Sequence, residues 1–558
     1  MLTGYRREWL PKDLVAGLVL TTLLVPQGMA YAELAGLPAI TGLYTSILCL
    51  VGYALFGPSR ILVLGPDSSL GPMIAATIAP LVAANGDPER AVALASMLAL
   101  IVGGIMIAGG FAKLGFVADL LSKPTMIGYM NGLAVTILVG QLPKLFGFSV
   151  DASGLVDETR AFIDGLRAGE TVPAALAVGL LGLAVIGILQ RVLPRVPAVL
   201  VAVVVSIAAA AVFDLEQHGV SLVGTLPQGF PPLTIPDVQG SDLPTLIAGA
   251  FGIALVSLAD TIATSSAFAG RSGEEVDGNR EMIGIGAANL GAGLFQGFPV
   301  STSGSRTAVA EQAGAKTQVT GLVGAITIVT MLLFVPGLFR NLPQPTLAAV
   351  VIAASLSLAD VPGTVRLWKQ SRSDCALSIA AFLGVAFLGV LPGIVVAVAL
   401  SVLNMFRRSW LPYHAVLGRV PDMPGYHDVS SHPEAEVLPG LVMFRFDAPL
   451  FFANTRTFRE QITQLAASDP PPTWILVAAE PITDIDPTAA DMLEDLDEAL
   501  NARQISLVFA EMKDPVRAKV ERYELTRTID PAHFYPTLAS AIAAYQQQTG
   551  ATWTPLTP

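Results

Sequence analysis

The chain has 558 residues, 53% of them apolar and only 14% charged, with a formal net charge of −12. Soluble domains carry about a quarter charged residues, so this composition marks a membrane protein with a soluble part attached. From Val437 onward 16 acidic residues face 9 basic ones, which reads as a solvated acidic surface, and the missing basic patch argues against nucleic acid as a partner.

Fourteen apolar segments follow in chain order: 14–32, 40–56, 69–84, 91–112, 124–141, 173–189, 196–213, 243–268, 282–298, 305–313, 319–334, 346–359, 375–390 and 392–406. The segment 91–112 is uncharged and long enough to cross the ~30 Å hydrocarbon core. So many runs exclude a cleaved signal peptide as their explanation. In a fourteen-span layout Arg6, Arg7, Arg60, Lys113, Lys123, Arg191, Arg195, Arg271, Arg280, Arg366, Lys369, Arg372, Arg407 and Arg408 share one side. The loop from Asp214 to Asp242 holds no Lys or Arg and falls on the other. The positive-inside rule then predicts a multi-pass inner-membrane protein with both termini in the cytoplasm.

The first segment runs into VPQGMAYAELAGLP, from Val25 to Pro38. Pro26 removes a backbone donor, Gln27 offers an amide, and Tyr31 lies one turn on along the same face. Such groups suit a span that lines a cavity. Glu33, nearer the outer end, is read either as a proton-exchanging carboxylate or as an interfacial acid in water.

Two segments are too short to cross alone. The third begins GPDSSLGPMIAA at Gly65 and the tenth FPVSTSGSRTAVA at Phe298. They stand seven segments apart, so in two seven-span repeats they occupy equivalent, oppositely directed positions. Paired interrupted segments point to a transporter's midplane site. A helix that starts inside the membrane presents free N–H groups and the positive end of its dipole, and an anion is the natural partner. Ser68, Ser69, Ser301, Thr302, Ser303, Gly304 and Ser305 cluster at these starts, and Arg306 raises the local positive potential. Asp67 reads either as a helix cap or as an acid facing the pocket. In ALVSLADTIATSSAFA, Asp260 and Thr264 share a helix face, and Asp260 is read as a proton or Na⁺ site or as a partner of Arg306.

The five histidines, His218, His414, His427, His432 and His533, lie in loops or in the tail. No spacing of nucleophile and base accompanies them, so no enzyme is predicted. Cys49 and Cys375 sit at or beside apolar runs and define neither a disulfide framework nor a thiolate metal site. After the last segment, residues 411–436 are rich in Pro, His and Gly and are predicted to be a linker. From 437 to 550, LVMFRF, TWILVAA and ISLVFAE alternate with helical stretches such as ADMLEDLDEALNA, which predicts a small α/β domain.

Taken together, PQGMAYAELAGLP, FPVSTSGSRTAV and LVMFRFDAPLFFANTRTF…ITDIDPTAADML resemble the sulfate permease (SulP, solute carrier 26) family of anion transporters and their C-terminal STAS domain. The resemblance covers nearly the whole chain. It implies an α-helical polytopic protein with fourteen transmembrane segments in two inverted seven-span repeats, about 1–214 and 243–410 within a transport domain of 1–410. A core of spans 1–4 and 8–11 would move against a gate of spans 5–7 and 12–14, followed by the STAS domain at 437–550. By motif match Gln27, Tyr31, Ser68, Ser69, Thr302, Ser303, Gly304, Ser305 and Arg306 are the anion-site candidates, and Glu33, Asp67, Asp260 and Thr264 the coupling-ion candidates. Asp67 departs from the neutral or aromatic residue of many relatives. Pro487 follows Asp486 where soluble STAS relatives carry a phosphorylated Ser, leaving Thr488 as the expected cap of the next helix. The implied function is secondary active transport of a small anion (a dicarboxylate such as fumarate, bicarbonate or sulfate) by proton-coupled symport in a homodimer. Sodium-coupled bicarbonate transport, with Na⁺ as the bound ion, and an anion exchanger or channel are the alternatives.

Overall fold

The computed structural model describes residues 5–82, 87–120, 122–150, 152, 154–193, 196–272 and 276–555, with the backbone alone at 118–120, 270–272 and 408. Arg195 and positions 83–84 of the third segment lie outside the described residues, as do the side chains of Arg271 and Arg408. The chain forms two compact units, Met1–Val402 and Leu403–Pro558.

In the first unit every one of the fourteen apolar segments carries a helix. The first half holds α1 (Leu10–Leu34), α2 (Ala39–Phe56), strand β1 (Leu64–Gly65), α3 (Gly71–Ile78), α4 (Pro88–Phe111), α5 (Lys123–Phe146), α6 (Leu155–Ala168), α7 (Pro173–Val192) and α8 (Ala198–Val212). The second holds α9 (Leu243–Ser272), α10 (Gly278–Leu294), strand β2 (Ser301–Thr302), α11 (Gly304–Gln312), α12 (Val319–Phe334), α13 (Gln344–Leu358), α14 (Val361–Gln370), α15 (Arg372–Leu383) and α16 (Val390–Trp410). Among the described residues eight helical stretches are long and apolar enough to cross a membrane, one of them Gln344–Gln370, which is α13 and α14 taken together, and α3 at 8 residues and α11 at 9 are half-length. Helices α6 and α14 went unpredicted, because each is amphipathic and short, with no continuous apolar run to betray it.

Packing sorts these helices into two bundles. Helices α1, α2, α3 and α4 pack with α9, α10, α11 and α12, while α5, α7 and α8 pack with α13 and α15. Helix α1 faces both bundles, touching α12 and α2 on one side and α13 and α8 on the other. Small residues set the closest approaches, since lipid supplies no hydrophobic drive between helices and contact must come from backbone proximity. A Cβ on Gly128 of α5 would lie 1.9 Å from the Ser378 carbonyl of α15.

Asp13, fully buried near the start of α1, ties that helix to the turn before α12. Its Oδ1 accepts from Lys316 N (2.7 Å), Thr317 N (3.2 Å) and Thr320 Oγ1 (3.1 Å), and its Oδ2 from Thr317 Oγ1 (2.7 Å). The carboxylate thus caps a helix from 300 residues away, in place of a local cap. Asp13→Ala strands two backbone donors and is expected to cost about 3 kcal/mol, read as a lowered melting temperature in detergent. Asp13→Asn, which keeps one acceptor oxygen, should lose clearly less.

The second unit is a mixed α/β domain. Its strands are β3 (His414–Arg419), β4 (Tyr426–Asp428), β5 (Glu436–Val437), β6 (Leu441–Phe446), β7 (Trp474–Ala478), β8 (Ser506–Ala510), β9 (Phe534–Tyr535) and β10 (Thr554–Pro555), in the order β10-β5-β3-β6-β7-β8-β9 with β4 on β3. Strands β6 to β9 are parallel, and β3 joins β6 antiparallel. The helices are α17 (Thr455–Ala466), α18 (Pro487–Asn501), α19 (Asp514–Arg522) and α20 (Leu538–Thr549). Alternation along β6 sends Phe444 and Phe446 into one core with Phe458, and Leu441 and Met443 into another with Tyr545, as the two-residue strand period requires. The stretch 411–436, expected to be a linker, instead supplies β3, β4 and the start of β5. Its Pro and Gly residues mark the turns between short strands. Thr488 is not the cap of α18: Asp486 is, accepting from Ala489 N at 2.7 Å.

Candidate anion-binding cavity

The two interrupted spans meet inside the first bundle. Strands β1 and β2 pair antiparallel, Leu64 opposite Thr302 and Gly65 opposite Ser301. Beyond this pair Ser303 N donates to Val63 O (3.1 Å) and Val63 N to Thr307 Oγ1 (3.1 Å). Strand β1 leads through the turn 66–70 into α3 and β2 directly into α11, so that turn and the start of α11 leave from the point where the two segments cross. Irregular backbone at membrane depth needs its polar groups satisfied by protein, and polar side chains from neighbouring spans do this. Asn289 of α10 accepts from Val300 N (3.0 Å), Ser257 of α9 donates to Val300 O (3.1 Å), Thr45 of α2 accepts from Phe298 N (3.1 Å) and Ser96 of α4 donates to Gly297 O (3.0 Å). Sequence reading missed these four positioning residues. Their only signal was a small polar side chain within an apolar run.

A cavity of about 1210 Å³ opens from this crossing. Gln27 and Tyr31 of α1, Asp67 and Ser68 ahead of α3, Asp260 and Thr264 of α9, and Thr302, Ser303, Gly304 and Ser305 at the start of α11 lie on its wall. It extends toward the face that holds the end of α7 and the end of α13, where Gln190 and Ser357 line it. The wall near the crossing therefore presents hydroxyls, an amide, the turn before α3 and the start of α11 together with two carboxylates.

Three candidates lie off the wall. Arg306 is fully buried behind the crossing, where Nη1 donates to Pro66 O (2.6 Å) and Nη2 stands 3.9 Å from Asp67 Oδ1. Its guanidinium packs on Gly65, where a Cβ would come within 3.1 Å of Nη1, so a larger side chain would push it out. Nε and Nη2 have no hydrogen-bond partner among the described residues. The ion pair of Arg306 is thus with Asp67 and not with Asp260. Ser69 is buried one step from the cavity. Its N–H and its Oγ both donate to Asp67 Oδ2 (2.9 and 2.6 Å), and the same Oγ stands 3.2 Å from Asp260 Oδ2. Asp67 therefore closes the turn before α3 while lining the cavity; it is not the cap of the helix, whose N-cap is Leu70 with no side-chain hydrogen bond. Glu33 is half-buried at the end of α1 away from the wall, where its carbonyl accepts from Lys144 Nζ at 3.3 Å. Ser303 caps α11, accepting from Arg306 N (3.5 Å), and shares a hydrogen bond with Ser305 (3.1 Å).

Comparison with known proteins places this geometry. A sequence profile of the sulfate permease family matches residues 10–381, and one of the STAS domain matches 432–541. Probable sulfate transporter Rv1739c of Mycobacterium tuberculosis is 39% identical over 545 residues, 98% of this chain and 97% of its own length. Sulfate transporter 1.2 of Arabidopsis thaliana is 30% identical over 556 residues, which cover 95% and 84% of the two chains. Among solved structures, SLC26A9 superposes with a TM-score of 0.88 at 24% identity over 98% of this chain and 92% of that one. The transmembrane domain of a cyanobacterium bicarbonate transporter, BicA, gives 0.62 at 23% identity over 70% and 98%. At these identities the two structures speak for the fold.

Proposed function

The chain belongs to the sulfate permease family, a family of membrane anion transporters and not of enzymes, and on that premise we propose that it is a proton-coupled symporter of a small oxyanion. The observation that carries this is a hydrogen count just behind the cavity wall. Ser69 has one hydroxyl hydrogen, and Asp67 takes it at the shorter distance. The 3.2 Å contact to Asp260 is then matched when Asp260 brings a hydrogen of its own. Charge arithmetic agrees. Arg306 balances one of the two carboxylates, so a single added proton brings the cluster to neutrality, and an anion entering beside it no longer meets a net negative wall. Proton and anion each favour the other's binding, which is the thermodynamic content of symport.

The anion would sit between the turn before α3 and the start of α11, held by backbone N–H groups of the α11 start and by Gln27, Tyr31, Ser68 and Ser305. Arg306, screened from the cavity, acts as a fixed counter-charge behind the floor and not as a ligand. With the positively charged side cytoplasmic, the cavity faces inward in this conformation, in an inner-membrane protein with both termini inside. Exchange of access would come from movement of the α1–α4/α9–α12 bundle against the other bundle, in a homodimer. Sulfate is the first anion to test, because relatives aligned over nearly the whole chain carry that name.

A second reading has its own support. Thr264 stands close to the start of α11, 3.9 Å from where a Cβ on Gly304 would lie, and with Asp260 it offers hard oxygen ligands to Na⁺. The same single positive charge would then arrive as sodium. Uptake of labelled sulfate, bicarbonate and fumarate into proteoliposomes, under an imposed proton or sodium gradient, separates the readings. The proposal expects acceleration by external acid and none by sodium. Indifference to both gradients would overturn symport in favour of exchange or uniport.

A further inference from the structure

Helix α14 leaves the second bundle between α13 and α15 and buries only a narrow side. Gly363 and Leu367 are buried, Asp360 caps the helix by accepting from Gly363 N (2.7 Å), and Asn131 of α5 secures it. That asparagine accepts from Asp360 N (2.7 Å) and donates to Thr364 Oγ1 (2.9 Å). The opposite side is an apolar stripe that the described residues leave bare: Val361, Val365 and Trp368 are 61, 48 and 62% exposed, and their spacing of four and three stacks them on one face. Arg366, Lys369 and Arg372 stand exposed around this stripe, on the side of the chain where the positive charges gather.

The first half of the chain repeats the device. Helix α6 follows α5 as α14 follows α13, and it packs on α5. Gly165 is buried, Val156, Ile163 and Leu166 are exposed, and Arg160 and Arg167 flank them. In two oppositely directed halves these helices fall on opposite membrane surfaces.

We infer that α14 lies in the surface of the bilayer, with Val361, Val365 and Trp368 at the acyl boundary and Arg366, Lys369 and Arg372 on the phosphates of anionic phospholipids. Helix α6 occupies the same place in the other leaflet. Three facts select a lipid surface as the occupant. The stripe is three side chains wide, far short of the ~800 Å² per partner of a stable protein interface. A tryptophan flanked by Lys and Arg is matched to the headgroup level, where its ring is wetted at one edge. The cations complement the negative surface of a cytoplasmic leaflet. The consequence is mechanical. A bundle pinned at both surfaces keeps its depth while the other bundle moves, so anionic lipid should set the transport rate without altering which anion is chosen.

The test uses the full chain in vesicles of phosphatidylcholine with or without phosphatidylglycerol, bromine-labelled near the top of the acyl chains. Subtracting the fluorescence of Trp368→Phe from that of the wild type isolates Trp368. Quenching of that component by the bromines is expected, together with anion uptake several-fold faster in the anionic vesicles. The combined R366Q, K369Q and R372Q variant should keep the rate seen in neutral vesicles and lose the gain. An unquenched Trp368 would overturn the inference by showing the stripe covered by protein, either a second copy or the C-terminal unit. Equal responses of wild type and triple variant to phosphatidylglycerol would overturn the headgroup assignment.

Discussion

Asp260→Asn is expected to abolish the acceleration of anion uptake by external acid and to lower gradient-driven uptake at least about tenfold, a loss of about 1.4 kcal/mol or more of coupling free energy. The amide imitates the protonated carboxyl. It can donate to Ser69 Oγ as the neutral acid does, and it leaves Arg306 to balance Asp67 alone. The anion can therefore still bind, and exchange of labelled for unlabelled anion across the membrane should persist. Asp67→Asn removes the partner that already receives the Ser69 hydrogen and the cap of the turn before α3, so it should weaken binding while leaving the direction of the pH response intact. Proteoliposome uptake and counterflow, measured side by side at matched protein density, check both variants. If Asp260→Asn kept the wild-type response to a proton gradient, the proton would have to be carried elsewhere, and Glu33 would return as the candidate.

The second large effect is steric. A Cβ on Gly42 would lie 1.9 Å from the carbonyl oxygen of Gly28, far inside any tolerable contact, so Gly42→Ala forces α1 and α2 apart. The cost is expected to be about 3 kcal/mol or more, at the upper end for overpacking between rigid elements. It falls on function too, since Gly28 directly follows Gln27 and the displaced segment of α1 carries the cavity wall. Gly104→Ala in α4, where an added Cβ meets none of the described residues within 4 Å, serves as the control and should be neutral or slightly stabilising by helix propensity. Folded yield and the rate of thermal inactivation in detergent distinguish the two. A Gly42→Ala protein as stable as the control would mean that α1 and α2 are not locked at this crossing.

The same crossing shows how far a linear reading reaches. The helices were legible because each apolar run is a local property, visible within about 20 residues. So was the break in α1's polarity at Pro26 and Gln27, and so was the pair of short segments rich in Ser, Gly and Pro. In the tail, the alternation in LVMFRF and the helical run after Asp486 stood out for the same reason. What was not legible depends on partners far apart in the chain. Ser69 and Asp260 are 191 residues apart, and Arg306 and Pro66 are 240 apart. Nothing in the local pattern of SGSRTAV says that the arginine turns behind the crossing while its neighbouring serines turn toward the cavity.

Amphipathic helices α6 and α14 were invisible to a search for long apolar runs, and 411–436 looked like a linker because its Pro- and Gly-rich turns outweigh the six residues of β3, while the three of β4 are too few to display a period. The sequence by itself determined that this protein spans a membrane many times, that two of its spans are interrupted at matching places, and that an α/β domain follows. Those are statements about composition and period within single segments. Only the tertiary structure decided which interrupted ends meet, which carboxylate shares a serine with which, and which cation is withheld from the cavity. Such pairings are fixed by packing between remote segments, and packing leaves no periodic mark on any one of them.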